Sequence, residues 1–143
     1  MDVPREVERG APSDERRARL AIAVLATLAG VGLFVLSWER YATFHNRTFD
    51  LAFYARIAWG LAVFDPNEQI VGANVVGLHL SLVLLPLGWL GRALGMVPVL
   101  LAAQAAAYAA TAFPIARLAG RRLGPLAAVA AGLAWLLHPN LGH

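Results

Sequence analysis

The stretch LAIAVLATLAGVGLFVLSW, Leu20 to Trp38, decides what kind of protein this is. It carries no charge over 19 residues. At about 1.5 Å per residue a helix of that length reaches roughly 28 Å, close to the thickness of a bilayer's hydrocarbon core. Its apolar residues run on without the polar alternation of a half-buried element, so the stretch reads as a membrane helix. Trp38 and Tyr41 at its far end suit an interfacial aromatic belt, and Arg16, Arg17 and Arg19 before it favour a cytoplasmic N-terminus. A cleaved signal peptide is the rival reading. The mixed-charge leader and the lack of an A-x-A-like exit suit an uncleaved anchor better.

Composition points the same way. Hydrophobic residues make up 59% of the 143 and charged ones 15%, against about 45–50% and about 25% in soluble domains. All 12 basic residues are arginine. They are dispersed and form no stripe that could follow a phosphate backbone, so the pI near 10.2 does not indicate a nucleic-acid partner. The absence of cysteine excludes disulfides, thiolate metal sites and cysteine catalysis. No Walker loop, dinucleotide fingerprint, nucleophile elbow or HExxH occurs.

Working outward, residues 1–19 balance five arginines against five acids and show no apolar period, which predicts a flexible polar tail. Residues 20–143 then form the membrane domain, with helices expected at about 20–38, 51–63, 75–92, 96–117 and 125–137. In the 51–63 helix, Phe53, Tyr54, Ile57 and Leu61 share one face, with Ala52, Arg56 and Trp59 opposite. That is the pattern of an amphipathic helix lying in the membrane surface. Phe64 to Gln69 reads as a turn broken by Asp-Pro-Asn. The uncharged runs Ile70–Gly91 and Ala93–Ala116 follow, then a basic loop with Arg117, Arg121 and Arg122. Pro125 to Leu137 is too short to be an independent span.

Two topologies fit. If Leu20, Ile70 and Ala93 each open a full crossing, the three arginines end outside, against the positive-inside bias. If the His79 segment lies along the outer face instead, those arginines fall inside. The second arrangement also accounts for His79, Asn74 and Pro86 in that run, and we favour it.

Few residues can carry chemistry. Asp50 reads either as a helix N-cap or as a general base or cation ligand at the membrane surface. His79 is an ionisable group in an apolar run, a candidate site residue or a neutral imidazole bonded to a neighbouring helix. Asn74 lies five residues earlier. Arg47 and Arg56 flank Asp50, and arginine suits phosphate, either of an ordinary lipid headgroup or of a phospholipid-like substrate. The histidines show no metal-binding spacing, so no protein metal site is expected. Ala26, Gly30 and the alanines around Gln104 read as small-residue faces for helix packing.

Taken in order, TFDLAFYARIAW, GANVVGLHLSLVLLPLGWL, LLAAQAAAYAATAFPIARLAGRRLG and LAWLLHPNLGH resemble the N-terminal part of a bacterial and archaeal family of membrane proteins of unknown function. That family is grouped with the GT-C glycosyltransferases. The resemblance implies a polytopic all-α protein of the bacterial inner membrane. It implies transfer of a sugar from a polyprenyl-phosphate donor, with Asp50 as base or as ligand of a divalent metal on the donor phosphate. Arg47, Arg56, His79 and Asn74 become candidate contacts to phosphate or headgroup. Ala52 and Arg56 stand where the family favours glycine and glutamine. Such proteins carry a second acidic motif on a later external loop, so this chain corresponds to an N-terminal portion, not active alone, partnered by lipid and by further helices.

Overall fold

The computed structural model describes residues 12–45, 49–65, 67–68, 72–74 and 82–138. The architecture is helical: α1 (Pro12–Ala42), α2 (Phe49–Ala62), α3 (Leu84–Leu94), α4 (Met96–Leu123) and α5 (Pro125–Leu136). A two-residue ladder interrupts it, where β1 (Asn67–Glu68) pairs antiparallel with β2 (Ala73–Asn74).

α1 starts at Pro12, eight residues before the expected Leu20, so 12–19 are not a flexible tail. The physical reason lies in PSDERRAR. Proline suits the first helical turn, Asp14 and Glu15 face the positive end of the dipole, and arginines follow one turn later. Asp14 pairs with Arg17 at 4.0 Å and Glu15 with Arg19 at 3.5 Å, both exposed. The apolar stretch is thus the middle of a 31-residue helix, about 46 Å long.

Among the described residues, two helices are long and apolar enough to cross a membrane, α1 and α4. In α1 the most apolar window has a mean hydropathy of 2.4, yet only 11% of it is buried. Both α1 and α2 end in Schellman motifs. His45 N–H bonds the Arg40 carbonyl and Phe44 N–H that of Tyr41; Asp65 N–H bonds Gly60 and Phe64 N–H bonds Leu61. The left-handed residue is not glycine but phenylalanine in each case, Phe44 at φ 57° and Phe64 at φ 59°.

Other expected boundaries move. Leu82 and Val83 form a turn and α3 begins at Leu84, so no continuous helix covers 75–92. Pro86 explains this: it falls in the first turn, where its missing N–H costs nothing, rather than in mid-helix. Asn74 stands in β2. Arg117, Arg121 and Arg122 belong to α4 rather than to a loop, and the last two face the negative end of its dipole. Gly95 (φ 99°) and Gly124 (φ 91°) break the chain before α4 and α5 in conformations that other residues avoid.

The chain divides into two compact units, residues 1–31 with 107–143, and residues 32–106. In the first, small residues do the packing. Ala26, Ala109, Ala112 and Leu136 form one buried cluster, and Ile22, Ala116 and Ala128 another. A Cβ on Gly132 would rest 3.7 Å from Ala116 and 3.8 Å from Ile22, so α1, α4 and α5 converge there. In the second unit, α2 packs on α3 through Ile57, Ala58 and Leu84, with Phe53, Leu61, Leu87, Met96 and Leu100 around them.

Candidate functional site

Asp50 is exposed and helical. Because α2 opens at Phe49, Asp50 sits inside the first turn rather than at the N-cap, where its charge faces the dipole's positive end. Arg56 lies on the same helix, partly buried, but six residues along, which turns it about 120° away. The structure therefore does not bring these two together. Arg47 and His79 lie outside the described residues. Asn74 is exposed on β2 in register with Asn67. Among the described residues no group of three His, Cys, Asp or Glu could hold a metal ion.

The expected membrane-facing side of α2 is instead an interhelical surface. Ile57, with Phe53 and Leu61, meets α3, whereas Tyr54 stays 45% exposed. The buried ridge also includes Ala58 and Ala62, which a reading of large apolar residues passes over. Their role is close approach: a Cβ at Gly88 would collide with the Ala58 carbonyl oxygen and lie 3.1 Å from the Ala62 Cβ.

Arg92 completes this contact. It is the single charge dividing the two uncharged runs, and that isolation was the signal available in the sequence. From the last turn of α3 its guanidinium donates to the carbonyl of Ala62, the last residue of α2, at 3.4 Å. Helix ends leave such carbonyls without intrahelical partners. The same guanidinium lies 5.7 Å from the Trp59 ring centroid, within cation–π range. Phe64 meets Trp89 edge-on at 6.4 Å.

A second polar contact joins α4 to α5. Tyr108 donates its hydroxyl to the Trp135 carbonyl, while the Trp135 indole N–H donates to the Tyr108 carbonyl at 3.4 Å. The rings stack at 5.4 Å. The same carbonyl also accepts from the His138 backbone N–H at 3.1 Å, so the tyrosine is its second donor.

Chemically, the described residues present an exposed acid at the start of α2, an arginine at the end of α3 and a set of exposed aromatic rings. No family model, no curated protein and no solved structure matches the chain.

Proposed function

We propose that the protein is a multi-pass integral membrane protein whose α2 holds Asp50 at the membrane surface. The observation that carries the membrane reading is α1. A window of mean hydropathy 2.4 that is 11% buried leaves most of an apolar helix surface uncovered, which supports its insertion in lipid. Leu20, Val24, Leu28 and Val31, each more than half exposed, line one side of it, and water is a poor solvent for such a surface. Flotation and alkaline washing of membranes from cells expressing the chain test this. Retention in the lipid fraction is expected, and release into the supernatant would refute it.

Within that frame the finer proposal is that the chain forms the N-terminal portion of a GT-C-like transferase using a polyprenyl-phosphate-linked sugar, completed by other segments. Its orientation has the N-terminus cytoplasmic and Asp50 outside. What supports it is that Asp50 is exposed in the first turn of the helix that follows α1. Asp50 then serves as base toward the acceptor hydroxyl or as ligand of a divalent ion, and arginine supplies phosphate contacts. In the completed transferase Asp50→Asn should lower turnover by about 10²-fold or more. Unchanged turnover would remove the catalytic role.

The alanine-rich buried faces favour a second reading, a non-enzymatic membrane protein that binds a partner or lipid. Alanine supplies most of the buried side chains, Ala105 among them. This reading expects indifference to Asp50→Asn and sensitivity to bulky replacement at Gly30 or Ala105.

A further inference from the structure

We infer that Arg92, with Trp59, Phe64 and Trp89, forms a binding site for the phosphate of an anionic phospholipid headgroup. The inference rests on the membrane reading but not on the transferase, and it concerns a place distinct from Asp50.

Four observations converge. Arg92 is exposed at the end of α3, and its attachment to the Ala62 carbonyl accounts for one of the five N–H donors a guanidinium carries. Among the described residues no carboxylate lies within ion-pair distance of it; Asp65, just past α2, accepts from Asn67 N–H at 3.1 Å and Asn67 Nδ2 at 3.2 Å instead. The Trp59 face and the helix-end carbonyl hold the cation in place without neutralising it. Around it stand large rings left open: Trp59 at 45% exposure, Trp89 at 57% and Phe64 at 79%.

That combination selects its occupant. Tryptophan concentrates at headgroup depth because an apolar ring carries one polar N–H. A guanidinium fork matches two oxygens of a phosphate, which lysine or an amide cannot do. A soluble anion would use the arginine but leave the rings wet. A purely apolar partner would cover the rings but strand the charge. A phospholipid supplies the phosphate and the adjoining acyl region together.

The test uses the full chain in phosphatidylcholine vesicles containing either phosphatidylglycerol or more phosphatidylcholine bearing a photoactivatable group near the phosphate. Adducts are mapped by mass spectrometry. Labelling of the Trp59–Ala62 and Trp89–Arg92 peptides is expected to be at least threefold higher from phosphatidylglycerol and to be indifferent to added inorganic phosphate. Arg92→Gln should abolish the excess and Arg92→Lys should keep only part of it, with far-UV circular dichroism unchanged. Equal labelling by the two lipids in the unsubstituted chain would overturn the proposal with no variant needed. So would an excess that survives Arg92→Gln, or one displaced by inorganic phosphate, which would mark a site for free anions. Chain recovered outside the vesicles would defeat the membrane reading itself.

Discussion

Single atoms decide the contact between α2 and α3. At Gly88 the space for a side chain is taken by the Ala58 carbonyl, so Gly88→Ala must push the helices apart. Overpacking of this kind costs about 1–3 kcal/mol, and thermal unfolding in detergent should show a lower midpoint. Gly32→Ala is the control. Nothing lies within 4 Å of its missing Cβ, and replacing a mid-helix glycine by alanine gains about 0.5–1 kcal/mol. A drop for Gly32→Ala, or none for Gly88→Ala, would refute this account. Phe44 gives the complementary case. It is 89% exposed in a left-handed conformation, and non-glycine residues pay roughly 1–2 kcal/mol there. Phe44→Gly should therefore leave stability unchanged or raise it in detergent, while a fall would mean that the ring is held by contacts of its own.

Between α4 and α5 the Tyr108–Trp135 contact makes its own prediction. Tyr108→Phe keeps the stack but removes the hydroxyl donor, leaving the Trp135 carbonyl dependent on nearby amides. Interhelical hydrogen bonds inside membranes contribute about 0.6 kcal/mol on average and up to about 1.7, so a loss in that range is expected by unfolding in detergent. At this scale the sequence was legible where hydrophobic period governs. Phe53, Ile57 and Leu61 do share a face of α2. What the period could not say was which surface receives that face, because a neighbouring helix and a lipid tail look alike to an apolar side chain. Alanines and glycines were harder still. Ala58, Ala62 and Gly88 matter by what they lack, and no pattern of large residues reveals them. PSDERRAR failed for a different reason: its balanced charges resemble a solvated tail, yet their spacing also stabilises a first helical turn.

Across the molecule, small residues hold the first compact unit, while isoleucine and leucine join alanine in the second, and among the described residues no large side chain is fully enclosed. The large apolar residues point outward instead, as Leu20, Leu28, Leu118 and Leu126 do. This inversion predicts that extraction into mild detergent preserves helicity, whereas transfer to detergent-free buffer causes aggregation, measurable by sedimentation and circular dichroism. A monodisperse, detergent-free monomer would contradict it. A helix long and apolar enough to cross a membrane was the most legible feature of the sequence, since it rests on a composition and a run length that need no folding information. The candidate site was the least legible. Asp50 stood out as a lone acid, but a chemical site depends on what faces it, and six residues of helix turn Arg56 away.

The stacked Tyr108–Trp135 pair has an optical consequence. Two aromatic rings with planes 20° from parallel and centroids 5.4 Å apart are close enough for their electronic transitions to couple, which gives the joint between α4 and α5 its own near-ultraviolet signature. Separation of those two helices could then be timed spectroscopically while the far-ultraviolet helical signal stays intact.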